Sequence, residues 1–205
     1  MRFDSLYNSL VPMDISTDTL KALRDKTGVS VMQCKKALEE AGGDMNQAEV
    51  ILRKRSSAAA EKKGDRELGA GAIGSYVHGG EIGAMVLLSC ETDFVARNEE
   101  FPVLAREIAM QVAATDPKYL SAEDIAPEAT EAAKAVFAEE VKDKPAEMQE
   151  KILEGKMASY FRDQVLLNQP YIKDESKTVN DLISEASQKF GERVQVTKFA
   201  RFSAR

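Results

Sequence analysis

Residues 72–94 read AIGSYVHGGEIGAMVLLSCETDF, and this stretch decides the fold. Two β-prone runs, 72–78 and 82–90, flank Gly79-Gly80. A glycine pair between apolar runs is a hairpin signal, because glycine adopts positive φ without a side-chain clash. The adjacent Leu87 and Leu88 predict burial on both faces near the end of the second strand. From Thr92 the period becomes helical, and Leu104, Ile108 and Val112, four residues apart, mark a buried stripe.

Towards the C-terminus, 128–142 sets Ala129, Ala132, Val136 and Ala133, Phe137, Val141 on neighbouring helical rows, stopped by Lys144-Pro145. A further helix is predicted over 146–168, presenting Ile152, Leu153, Met157, Phe161 and Val165 and ending before Gln169-Pro170. Another spans 178–190 and is closed by Gly191. In the tail, Val194 and Val196 alternate before Phe199 and Phe202, and the phase slip at Lys198 predicts a bulge. The hairpin pattern occurs once. The fold class is therefore α+β, a core of three antiparallel strands with helices packed on one face.

Three short helices precede that core: one over 18–26 stopped by Gly28, one opened by Ser30 and ended by Gly42-Gly43, and one opened by Asp44. Their apolar positions Leu20, Leu23, Cys34, Leu38, Ala48, Ile51 and Leu52 make a small bundle core. Residues 56–63 hold helix formers without an apolar face and read as a semi-rigid linker. The expected organisation is a disordered extension over 1–14, a three-helix module over 15–55, a linker over 56–69 and the α+β core over 70–205.

With 43% apolar residues among 205, the chain buries a substantial core without disulfides or metals. Its two cysteines, Cys34 and Cys90, match no zinc spacing and no disulfide framework. No apolar run approaches the roughly 18 residues of a membrane span, so no membrane is expected and the cytoplasm is the expected compartment. The net charge of −6 argues against direct nucleic acid binding and for a protein partner. Residues 121–150 carry nine acidic and three basic side chains, a block read as solvated helix faces. The sole histidine, His78, has no Cys or carboxylate constellation beside it. The glycines of 69–83 fit neither phosphate-loop spacing and read as turns and close strand approach. No cofactor, no metal and no enzymatic activity are expected.

The segment Glu91-Thr92-Asp93-Phe94-Val95-Ala96-Arg97-Asn98 resembles the signature of the elongation factor Ts family. Independent support comes from 23–28, 32–38 and Gly43-Asp44, which are similar to that family's ubiquitin-associated-like N-terminal domain. Residues 167–174 and 199–202 are similar to its closing segments. Three features depart from the commoner pattern, the first being residues 1–14, which precede the family's usual start. Val31 stands where methionine is usual, which preserves an apolar surface, and the core occurs once where long members have two copies. The short form in known relatives works as a homodimer.

The resemblance implies a guanine-nucleotide exchange factor whose partner is the GTPase elongation factor Tu. Phe94 would insert near the partner's switch region and disrupt its magnesium and phosphate site, with Asp93, Thr92 and Val95 around it. Arg24, Val31, Met32 and Lys35 of the N-terminal module match family positions that press on the nucleotide domain. The rival reading is a binding adaptor, which would hold a partner without changing nucleotide release. A hydrolase or metal enzyme is disfavoured because no nucleophile and base pattern is present.

Overall fold

The structure, a computed structural model, describes residues 15–143 and 145–204. The expected extension over 1–14 and Lys144 of the expected helix stop lie outside the described residues. The chain divides into two compact units, Met1–Ala58 and Ala59–Arg205.

In the first unit, α1 (Thr17–Thr27) starts at Ser16, whose hydroxyl accepts the Thr19 N–H, and stops at Gly28 with φ 67°. Ser30 caps α2 (Val31–Glu40) in the same way. Asp44 opens α3 (Met45–Glu61) by accepting the Gln47 N–H at 3.0 Å. These caps satisfy N–H groups that a helix start otherwise leaves unpaired. Leu23, Val29, Cys34, Ala37, Leu38, Ala41, Ala48 and Leu52 form the buried core, with Leu20 and Ile51 packed at its margin. Residues 56–61 of the expected linker are the last turns of α3. Ser56 is buried there and bonds the Leu52 carbonyl, so a small polar residue continues the inner face where no apolar one does.

The second unit is built on the hairpin β1 (Ala70–His78) and β2 (Ile82–Cys90), joined through Gly79 (φ 57°) and Gly80 (φ 75°). After β2 come a single-turn helix α4 (Asp93–Ala96) and α5 (Glu100–Thr115). Next are α6 (Pro127–Val141), α7 (Ala146–Arg162) and a short ladder of β3 (Pro170–Tyr171) with β4 (Asp174–Thr178). Then α8 (Val179–Phe190), opened by a Thr178–Asp181 capping box, leads into β5 (Val194–Ser203). The main sheet is antiparallel in the order β1-β2-β5. One of its faces carries α5 and α8 over a core that includes Val86, Leu88, Phe101, Ile108, Val112, Val179 and Val196. The bulge falls where the phase slip placed it: Leu87 pairs Lys198 while Leu88 pairs Val196, leaving Thr197 as the extra residue.

Three expectations change. Burial on both faces starts at Leu88, Ser89 and Cys90, while Leu87 remains partly exposed on the open face of the sheet. The row Ala132 and Val136 of α6 points to solvent, with Val136 60% exposed, and only Ala129, Ala133, Phe137 and Val141 turn inward. Among the described residues α7 is the main neighbour packed on α6, and one such neighbour covers one row. Finally, α7 ends at Arg162 rather than 168. Val165 and Leu166 are fully buried, and the Leu166 N–H donates to the Tyr119 carbonyl, so the core withdraws this run from the helix. The continued four-residue spacing of Met157, Phe161 and Val165 conceals that end in the sequence.

Candidate functional site

The β2-to-α5 connection carries the most exposed large apolar side chain among the described residues. Phe94 is 83% exposed, although its neighbours on both sides are held. Cys90, fully buried, ends β2 and donates its thiol hydrogen to the Thr92 carbonyl at 3.2 Å. Burial first, and then the nearby Glu192 carboxylate, push the Cys90 thiol above its ordinary value, so it stays protonated and is no nucleophile. Val95 is 4% exposed and Ala96 packs partly against the same core, so the next turn is anchored from below. With Val95 turned in, a four-residue helix must turn Phe94 out. Asp93 and Arg97 pair across it at 3.1 Å, but both are largely exposed, and such a pair contributes about 0–1 kcal/mol.

Two carboxylates brace the turn. Glu192 accepts the Thr92 N–H at 3.0 Å and the Thr92 hydroxyl at 2.6 Å. Glu91 accepts the Arg193 N–H and the Arg66 guanidinium, the latter at 3.0 Å. The Arg193 amide acts most strongly on Glu91, and with the Arg66 guanidinium it overcomes the opposing effect of burial, holding this carboxyl below the usual glutamate value. Arg193 also donates to the Arg66 carbonyl. Glu192, Arg193 and Arg66 escaped the sequence reading because they are 100 and 25 residues from the turn. Only Gly191, which closes α8, marks that a loop lies there.

Of the residues expected to form a contact surface, Thr92, Asp93 and Phe94 are exposed side by side. Val95 is not on the surface, and its role is to anchor the turn. In the first unit, Arg24 lies on the last turn of α1, with Val31 and Met32 on the first turn of α2 after the connection 28–30. All are exposed, Met32 by 65%. Lys35 follows Val31 by one helical turn and reaches Glu39 only at 3.9 Å. Cys34 and Leu38 face inward, so the helix period itself turns Met32 out, whereas Val31, three residues before Cys34, lies towards the inner face and is exposed as the first residue of the helix. His78 is bound by the Tyr76 hydroxyl at 3.0 Å through Nδ1. No group of three His, Cys, Asp or Glu able to hold a metal occurs among the described residues, and none of their helices is long and apolar enough to cross a membrane.

Fold and site together define a class: an α+β protein with a small helical module ahead of it, presenting a lone aromatic side chain on a braced strand-to-helix turn. The family model for elongation factor Ts matches residues 60–205. The chain is also 50% identical over 191 residues to elongation factor Ts of Thermodesulfovibrio yellowstonii, covering 93% of this chain and 96% of the relative. It is 49% identical over 191 residues to that of Thermotoga petrophila, with the same coverage. Against that of Coprothermobacter proteolyticus the identity is 44% over 194 residues, covering 93% and 98%. The chain belongs to the elongation factor Ts family.

Proposed function

We propose that this chain is a guanine-nucleotide exchange factor for elongation factor Tu, acting in the cytoplasm. It promotes GDP release by inserting Phe94 near the switch region and disturbing the magnesium and phosphate site, so that the GTP-bound form is regenerated. The observation that carries the reading is the exposure of Phe94, an aromatic side chain held out to solvent by a turn whose other apolar members, Val95 and Ala96, are buried and half-buried. A GTPase retains GDP through phosphate and magnesium contacts, so a factor that displaces the groups around them loosens the nucleotide without chemistry of its own.

The magnitudes require a second contact. Burying one phenylalanine contributes about 1.5–3 kcal/mol. Loosening a nucleotide ten-thousandfold requires about 5.5 kcal/mol of differential binding. Arg24, Val31, Met32 and Lys35 supply the remainder by pressing on the nucleotide domain. The coupling is reciprocal: GDP weakens the binding of the factor as much as the factor weakens GDP, and GTP completes the cycle. The test is release of a fluorescent GDP analogue from elongation factor Tu with the wild-type chain and with Phe94→Ala. Wild-type acceleration that is lost in Phe94→Ala supports the wedge. Acceleration unchanged in the variant removes it, and binding without acceleration favours an adaptor.

The factor works as a homodimer through the open face of its sheet. Register brings Val77, Gly83 and Phe202 into one row, Ser75, Met85 and Ala200 into the next, and Ile73, Leu87 and Lys198 into a third. Of these, Ile73, Val77, Met85, Leu87 and Phe202 are exposed, a concentration of apolar surface that a second copy can cover by two-fold symmetry. Light scattering at micromolar concentration should give twice the 22.5 kDa monomer mass, and a constant monomer mass rejects the dimer.

A further inference from the structure

Among the described residues, Glu91 and Glu192 form a reciprocal brace between two turns about 100 residues apart. The carboxylate of Glu91 accepts the N–H of Arg193, the residue after Glu192. The carboxylate of Glu192 accepts the N–H of Thr92, the residue after Glu91, and the Thr92 hydroxyl as well. This brace lies beyond the last pair of the β2–β5 ladder, Cys90 with Val194, so strand pairing does not depend on it.

What does depend on it is α4. A single helical turn of four residues is unstable alone, because nucleation fixes several dihedral angles for one hydrogen bond. Thr92 occupies the N-cap position, yet its side chain makes no capping bond, and its hydroxyl instead donates to Glu192. Val95 fixes one side of the turn through the core. Glu192 fixes the other with two bonds from one charged group, and such charge-assisted pairs are short and directional.

We propose that Glu192 is a positioning residue for nucleotide exchange: it holds Thr92, and through Thr92 the one-turn helix that presents Phe94. The proposal rests on the reading of Phe94 as the inserted group. The full-length chain is tested in two assays, hydrogen exchange of the amides of 92–97 in the free protein and GDP-analogue release from elongation factor Tu. Losing hydrogen bonds to a charged acceptor corresponds to about a tenfold change or more. Glu192→Ala should therefore exchange these amides about tenfold faster. It should lower the saturating release rate about tenfold, and the half-saturating concentration should change less than the rate.

Glu192→Gln should restore both readouts to within about twofold, since its carboxamide oxygen accepts the Thr92 N–H and its NH2 donates to the Thr92 hydroxyl oxygen. In a Phe94→Ala background, Glu192→Ala should slow release no further. Phe94→Ala slowing release while Glu192→Ala matches wild type in both assays overturns the brace alone. Losses that multiply in the double variant overturn it also, because Glu192 then acts other than through Phe94. A silent Phe94→Ala removes the wedge, and with it the role assigned to Glu192.

Discussion

Gly74 of β1 lies directly under Ala105 of α5: a Cβ built on Gly74 would fall 2.1 Å from the Ala105 carbonyl carbon and 2.2 Å from its oxygen. Helix and sheet therefore approach at a distance that only a residue without a side chain permits. Backbone atoms on α5 cannot swing aside as a flexible side chain does. Gly74→Ala should destabilise the fold by about 1–3 kcal/mol or more, the range of overpacked sites, through displacement of α5. Urea denaturation would show this as a lowered midpoint with an unchanged slope. A midpoint equal to wild type would mean that the two layers are free to separate.

Phe94 and Val95 are neighbours with opposite fates. Phe94→Ala should change stability by no more than about 0.5 kcal/mol, as exposed substitutions do. Val95→Ala deletes buried methyl groups and should cost about 1–2.5 kcal/mol. Thermal unfolding of the two variants, set beside GDP-analogue release, separates the presenting residue from its anchor. A destabilised Phe94→Ala would show that the ring packs at home.

The buried pair Gln111 and Gln169 ties α5 to the segment that follows α7. Gln111 Nε2 donates to Gln169 Oε1 at 3.0 Å and to the Pro170 carbonyl at 3.1 Å, while Gln111 Oε1 accepts the Ile172 N–H at 2.9 Å. Gln169 Nε2 donates to the Asp163 carbonyl, and Thr115 donates to Gln169 Oε1. Gln111→Leu keeps the volume but takes one donor from the buried Gln169 Oε1, which keeps Thr115, and removes the partner of the part-buried Pro170 carbonyl and Ile172 N–H, where a fully desolvated group would cost about 1–3 kcal/mol. A loss of about 1–3 kcal/mol is expected in urea denaturation, with faster hydrogen exchange at Ile172. A loss below 1 kcal/mol would show that water replaces the glutamine.

Glu91 should make stability depend on acid pH. Its folded value is depressed by the Arg193 N–H and Arg66, so its stabilising contribution is complete above the unfolded value of about 4.3 and is lost as pH falls through the lower folded value. Glu91→Gln should show a smaller fall in melting temperature between pH 6 and pH 3 than wild type. Equal falls would mean that protonation of Glu91 does not contribute.

The hydrogen bond between Tyr171 and Glu107 should shift the titration of each. The phenol donates to Glu107 Oε2 at 2.6 Å, and burial and then this carboxylate raise the Tyr171 pKa well above the ordinary tyrosine value. Burial alone would raise Glu107, but the hydrogen bonds from Lys173 and Tyr171 overcome it and leave the carboxyl depressed. Tyr171→Phe should move the Glu107 titration upward, read by carboxyl carbon NMR. An unmoved titration would assign the depression to Lys173 and Arg106.

The helices of the first unit, the hairpin, the bulge and the eight-residue turn were legible in the sequence because each is written in local terms. Glycine pairs allow positive φ, Ser and Asp cap helix starts, and apolar spacing of two or four distinguishes strand from helix. The presence of Phe94 in the turn was legible for the same reason. The end of α7 was not: whether Val165 continues a helix or joins a core depends on Tyr119, far away in the chain. Nor was the inward turn of Val95, the outward turn of Val136, or the passage of α3 through the expected linker. The brace of Glu91 and Glu192 lies furthest from sequence reading. Its two halves are about 100 residues apart, and only the packing of α8 and β5 against the hairpin brings one carboxylate to the other's neighbouring amide. Local chemistry sets which elements form and which aromatic is offered, and tertiary packing decides which side chains are buried and what holds that aromatic in place.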